Sequence, residues 1–189
     1  MRTLALSAAT VWLMITGIAA VDQTPPANPH GVATKAFIDR AQEYAAFHTR
    51  VDRTVPSLRE TAEPGEISRR QAALAEAIIA ARAEAKPGDV LVPEFQPYLR
   101  EIIEQDFRKR PVGDRKALLD EQPKNVKIDV NTTYPTGVPL ATFPPNLLKV
   151  LPALPDVLEY RIVGRDLILR DVKANVIVDV VRNVFPIPS

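Results

Sequence analysis

Apolar residues recur in steps of three and four between residues 33 and 55, a spacing that predicts an α-helix with one buried side. Pro56 ends this predicted helix, because proline has no amide hydrogen for the helical ladder. The stripe consists of Phe37, Ala41, Tyr44, His48, Val51 and Val55. We expect it to pack within the chain, although the same spacing also suits a coiled-coil seam between two copies.

Three further helices are predicted before the pattern changes. A second helix is expected over residues 64–85, with Glu63 at its N-cap. A third starts near Pro93, and a short fourth is capped by Asp114. The apolar side of the third helix consists of Phe95, Leu99, Ile102, Ile103 and Phe107. The region of residues 33–122 is therefore predicted to be helical.

The hydrophobic period changes to two at residue 123. Val126, Ile128 and Val130 alternate with polar residues, which predicts a strand with one face in solvent. A Pro-rich stretch with a short helix over residues 145–151 follows. The remaining chain then predicts three strands, at Leu158–Val163, Asp166–Asp171 and Val176–Val181.

Two turns determine how these last strands pair. Gly164 supplies the positive φ of a two-residue hairpin, and Asn175 suits a left-handed position in the next turn. The first hairpin then sets Tyr160 opposite Leu169, Ile162 opposite Leu167 and Glu159 opposite Arg170. The sequence thus predicts an α+β fold. An N-terminal bundle of three long helices and one short helix precedes a small, mainly antiparallel β-meander in residues 123–189. The strand at 126–130 can join this meander or remain outside it, and we expect both parts to share one core.

Residues 1–20 have the form of an export signal. Arg2 precedes an apolar run from residue 4 to residue 18, and Ala19 and Ala20 fit a signal-peptidase site. The alternative is an uncleaved anchor, since an apolar stretch of about 17–25 residues can span a bilayer. Residues 21–32 are a polar, Pro-rich spacer. We expect cleavage and a periplasmic or secreted product without stable membrane insertion.

The composition narrows the class of partner. Arg2 is the one charged residue of the signal, so the processed chain has 23 basic and 23 acidic residues. That balance argues against nucleic acid as a partner. The chain has no cysteine, which argues against a disulfide scaffold and favours a bacterial envelope compartment. No sequence motif for a cofactor is present.

The C-terminal module, residues 151–181, resembles that of small periplasmic RcnB-type proteins. The positions that match are Pro152, Pro155, Tyr160, Gly164, Asp171, Asn175, Ile177 and Asp179. The resemblance implies an exported bacterial envelope protein from a family linked to nickel and cobalt homeostasis. The chain as a whole resembles exported bacterial proteins without an assigned function.

One constellation on the first helix is a candidate for chemistry. Tyr44 and Asp52 lie four residues before and after His48, so the three can meet on one side of the helix. Asp52 would then orient the imidazole as a base or ligand beside a cleft. The alternative is a histidine that packs on the apolar stripe. Two histidines and no cysteine predict no metal site.

The other candidate is a cluster of cations around the end of the third helix. It consists of Arg108, Lys109, Arg110, Arg115 and Lys116. These residues can bind phosphate groups, but helix-end electrostatics also explains them.

Two classes of function follow from these patterns. In the first, the protein is a non-enzymatic binding or interaction module, and its partner is an envelope protein or peptide. In the second, it is a small ligand-binding protein or enzyme whose site lies near His48, between helices and sheet.

Overall fold

The computed structural model describes residues 28–57, 63–124 and 126–187. It confirms the α+β class, with helices first and an antiparallel sheet after them. The helices are α1 Pro29–Asp52, α2 Pro64–Ala81, α3 Gln96–Lys109, α4 Val112–Asp120 and α5 Pro145–Leu148. The strands are β1 Thr132–Thr133, β2 Leu158–Val163, β3 Asp166–Asp171 and β4 Val176–Val181, in the spatial order β1-β4-β3-β2.

The C-terminal meander follows the sequence prediction closely. All three strands have the predicted bounds, and the predicted pairs Tyr160–Leu169, Ile162–Leu167 and Glu159–Arg170 are present. Gly164 has φ +59° and Asn175 has φ +56°, the left-handed values that their turns need.

Helix boundaries differ from the prediction by several residues. α1 begins at Pro29 rather than near residue 33, because the Asn28 side chain accepts the His30 N–H at 3.1 Å and caps the helix. α2 ends at Ala81 rather than at residue 85. The Asn131 amide there donates to the carbonyls of Ile79 and Arg82, at 2.9 and 2.8 Å, and so satisfies two groups of the helix end.

Two shorter elements also differ from the prediction. α4 begins at Val112, so Asp114 lies in its first turn rather than at the cap, and α5 spans four residues rather than seven. Both differences fall at helix ends, where sequence patterns are least specific.

The predicted strand at residues 126–130 is wrong as a strand, since β1 begins only at Thr132. The segment instead crosses one face of the sheet, where Ile128 is buried against Ile168, Ile177 and Val180. The alternation of apolar and polar residues in this segment therefore reflects an extended chain with one buried side. Among the described residues, the segment does not pair with a neighbouring strand.

The helices cover the opposite face of the sheet. The largest apolar cluster joins the α1 stripe and α3 to alternate residues of the strands, with Phe37 stacked on Phe95 at 4.6 Å between ring centroids. Phe37, Ala41, Tyr44 and His48 of the stripe are buried within the chain. These four residues are therefore not available for the coiled-coil seam considered above.

Candidate functional site

α1 brings Tyr44 and His48, one helical turn apart, against the last residue of β3. The Tyr44 hydroxyl donates to Asp171 Oδ2 at 2.8 Å, and His48 Nδ1 lies 2.6 Å from the same oxygen. Asp171 Oδ1 accepts the backbone N–H of Ala174 at 2.8 Å. His48 is 1% exposed and Asp171 0% exposed. We call these three side chains, Tyr44, His48 and Asp171, the α1–β3 cluster.

The acceptors in this cluster determine where its protons lie. An ionised carboxylate only accepts hydrogen bonds, so His48 Nδ1 carries the hydrogen that faces Asp171. Burial, and then the negative charge of Asp171, raises the pKa of Tyr44 far above its ordinary value, so the hydroxyl stays a donor. The Arg82 guanidinium lies over the Tyr44 ring, 5.2 Å from its centroid, and adds a cation–π contact.

Asp52 is not the partner of His48. Its Oδ1 accepts from Arg70 of α2 at 2.5 Å, and this hydrogen bond lowers the pKa of Asp52. The imidazole is oriented by Asp171, which is 123 residues away in sequence. Asp52 lies at the last, partly exposed position of α1, whereas the buried side of the helix faces β3.

This arrangement does not form an open catalytic site. A carboxylate-oriented imidazole can act as a base only if its second nitrogen reaches a substrate. In the described residues, His48 Nε2 is buried and has no hydrogen-bond partner. The nearby cleft of about 610 Å³, between α1 and residues 88–94, is lined by Tyr44 but not by His48. The α1–β3 cluster therefore joins helix to sheet.

A second buried carboxylate, Asp179 of β4, has a similar structural role. It accepts four backbone N–H groups, from Gly88, Val90, Leu91 and Val180, at 2.7–2.9 Å. Asp179 pairs with Leu169 of β3, next to a β-bulge that shifts the register of the two strands between Leu169 and Arg170. Burial raises the pKa of Asp179, and the four hydrogen bonds oppose this effect. Asp179 thus attaches the loop before α3 to the sheet.

The predicted anion-binding cations are partly paired with carboxylates on their own helix. Arg108 lies 3.5 Å from Glu104, and Arg110 Nε donates to Asp106 at 2.5 Å. Lys109 and Arg110 line a cleft of about 720 Å³ beside α5, which also contains Glu101, Asp106 and Asp114. Arg115 and Lys116 lie on α4 and do not line that cleft. The carboxylates offset much of the positive charge that the sequence suggested.

A more apolar cleft lies along the outer edge of β2. It has a volume of about 360 Å³ and is formed by residues 142–143, by Leu148 with residues 152–154, and by the first four residues of β2. Leu158 and Tyr160 line it from the helix-covered face of the strand, and Glu159 and Arg161 line it from the opposite face. We call it the β2 cleft. No pattern in the sequence indicates this cleft, because its walls come from three segments that only the fold brings together.

Searches for similar proteins and for metal or membrane features give negative results. No protein-family model, curated protein or solved structure matches this chain. Among the described residues, no group of three or more histidine, aspartate or glutamate side chains could hold a metal ion. No helix within the described ranges is both long enough and apolar enough to cross a bilayer. The predicted signal, residues 1–20, lies outside these ranges.

Proposed function

We propose that the protein is an exported bacterial envelope protein that acts as a non-enzymatic interaction module for a protein or peptide partner. The observation that supports this proposal is the exposed apolar surface at α5. Leu148 is 52% exposed and lines the β2 cleft, and Val150 is 57% exposed and lines the larger cleft on the other side of α5. Exposed apolar side chains between two concave surfaces are typical of interaction sites.

The burial of the α1–β3 cluster also supports an interaction module over an enzyme. His48, the buried histidine beside Asp171, lines neither of the two clefts beside α5. The resemblance of residues 151–181 to RcnB-type proteins agrees with the envelope location. We take from it the location alone.

Photocrosslinking in the native host tests the interaction surface. A photoreactive phenylalanine analogue at position 148 is expected to give an adduct of one defined mass, and Val150→Ser is expected to reduce its yield. Ile67, which is 53% exposed on α2, is the matched control position. The same adduct from position 67, or none from position 148, would contradict the proposal.

Fractionation and intact mass test the export. We expect the periplasmic or secreted protein to begin after Ala19 or Ala20. Trp12 is the only tryptophan, so the processed protein should show no tryptophan fluorescence. Tryptophan emission from protein purified from the envelope would show that the signal is retained.

A further inference from the structure

The face of the sheet opposite the helices has more positive than negative charge beside the β2 cleft. Arg161 Nη2 donates to Glu159 Oε2 at 2.5 Å. Arg170 Nη1 lies 3.1 Å from Glu159 Oε1, in range for an ion pair but without the alignment of a hydrogen bond. Two guanidinium groups therefore share one carboxylate.

This shared arrangement is substantially removed from water. The side chains of Arg170, Glu159 and Arg161 are 10%, 22% and 23% exposed. Burial, together with the positive charge of Arg161, lowers the pKa of Arg170. The Nε atoms of Arg161 and Arg170 are buried and make no hydrogen bond within the described chain. A second anion near these groups would offset the excess charge.

The β2 cleft gives such an anion a route to this charge. Arg161 lines the cleft together with Phe143 and Tyr160, whose ring centroids lie 5.8 Å apart. An apolar wall and a cationic end are therefore next to each other. The volume of about 360 Å³ is near the lower limit of about 300–1,000 Å³ for small-ligand sites.

The backbone of β2 favours a peptide over an acyl chain. In an antiparallel pair of strands, hydrogen-bonded and non-hydrogen-bonded residue pairs alternate. The residues that flank the two-residue turn, Val163 and Asp166, form a hydrogen-bonded pair. Three positions further along β2, Tyr160–Leu169 is therefore a non-hydrogen-bonded pair. The N–H and C=O of Tyr160 therefore point away from β3, along the cleft, and neither has a hydrogen-bond partner in the part of the chain that the structure describes. A peptide main chain offers partners to these groups, and an acyl chain does not.

We propose that the β2 cleft binds the C-terminal residues of an apolar peptide, with the peptide carboxylate at Arg161 and an apolar side chain against Phe143, Leu148 and Tyr160. This inference rests on the proposed function and specifies the chemistry of the partner. The donor to the peptide carboxylate is the Arg161 guanidinium, which lines the cleft, because the Nε atoms of Arg161 and Arg170 are buried. Its Nη1 donates to the Ala141 carbonyl at 3.0 Å and its Nη2 to Glu159, so each of these nitrogens keeps one further hydrogen for the carboxylate.

The test uses the protein purified from the envelope and three probes. These are the tripeptide N-acetyl-Gly-Leu-Phe with a free carboxylate, the same tripeptide with a C-terminal amide, and decanoate. Amide NMR spectra are recorded during titration with each probe. We expect the free acid to shift the amide signals of residues 142–143, 148, 153–154 and 158–161. We also expect it to bind about tenfold more tightly than the amide, the scale of one charge-assisted hydrogen bond.

Three variants separate charge from structure. Arg161→Gln is expected to abolish the preference for the acid, and Arg161→Lys to keep part of it. Arg53→Gln, at an exposed arginine after α1, is expected to change nothing. The NMR spectra also report whether each variant is folded.

Four results would overturn this inference. They are equal affinity for acid and amide, signal shifts confined to other surfaces, an unchanged acid preference in folded Arg161→Gln, and decanoate binding as tightly as the peptide acid. The crosslinking experiment at position 148 does not depend on the carboxylate. If its adduct persists while the acid preference is absent, this inference fails and the interaction module stands.

Discussion

Tyr44→Phe removes a single hydroxyl from the α1–β3 cluster and leaves the rest of the side chain in place. That hydroxyl donates to Asp171 Oδ2 at 2.8 Å, in a position where Tyr44 is 4% exposed. The phenyl ring can still pack in the core and lie beneath Arg82. Asp171 keeps its hydrogen bonds to His48 and to the Ala174 N–H, so the change isolates one interaction.

The expected effect follows from the charge of the acceptor. A buried hydrogen bond to a charged group contributes about 1.5–3 kcal/mol, so we expect the free energy of unfolding to fall by that amount. For a chain of this size the melting temperature should fall by about 3–12 °C. Urea unfolding followed by far-ultraviolet circular dichroism measures this change, since the described residues contain no tryptophan.

Tyr98→Phe provides the matched control. Tyr98 of α3 stacks on His30 at 4.2 Å, and within the described ranges its hydroxyl makes no hydrogen bond to the protein. We expect a loss below about 0.5 kcal/mol, as for an ordinary surface substitution. Equal losses for Tyr44→Phe and Tyr98→Phe would refute the claim that Asp171 holds α1 to the sheet through its charge.

Three further outcomes are expected. His48→Ala should destabilise by more than His48→Asn, because the Asn amide can replace the Nδ1 donor to Asp171; equal urea midpoints would contradict this. Asn131→Gly should lower the free energy of unfolding by about 1–3 kcal/mol, because two hydrogen bonds to α2 are lost. Asn131→Ala should lower it by about 1–2 kcal/mol more, because residue 131 has φ +60° and alanine is strained there; chemical unfolding measures both changes. The Arg70 hydrogen bond lowers the pKa of Asp52 from its ordinary value of 3.8. The contribution of the Asp52–Arg70 pair to stability is therefore present above pH 3.8 and is lost as the pH falls through the lowered pKa. Asp52→Asn should flatten this part of the curve of stability against pH.

Local signals in the sequence determined most of the meander. Gly164 and Asn175 are each adapted to one backbone conformation, and a two-residue turn leaves only one register for β2 and β3. Such information is contained within a few neighbouring residues. The strands could therefore be predicted to their end residues.

The site depended on distant residues, and the sequence alone did not give it. Asp52 was the nearest carboxylate to His48 along the helix, but Asp171 is the partner in space. Asn131 binds the end of α2 from nearly 50 residues away in sequence. The pattern of residues within the helix therefore did not indicate that α2 ends at Ala81 rather than at residue 85. The excess charge of Arg161 and Arg170 likewise exists only once β2 and β3 have paired.

The two buried aspartates have a consequence for the order of folding. Asp171 accepts from Tyr44 across 127 residues, and Asp179 accepts from Gly88 across 91 residues. Until the meander has formed, α1 and the loop before α3 lack the acceptors that hold them. Contacts between residues so far apart slow folding, because a long loop must close before they form. A fragment that ends before β2 should therefore remain largely unfolded, and the chain should acquire its tertiary structure in one late, cooperative step.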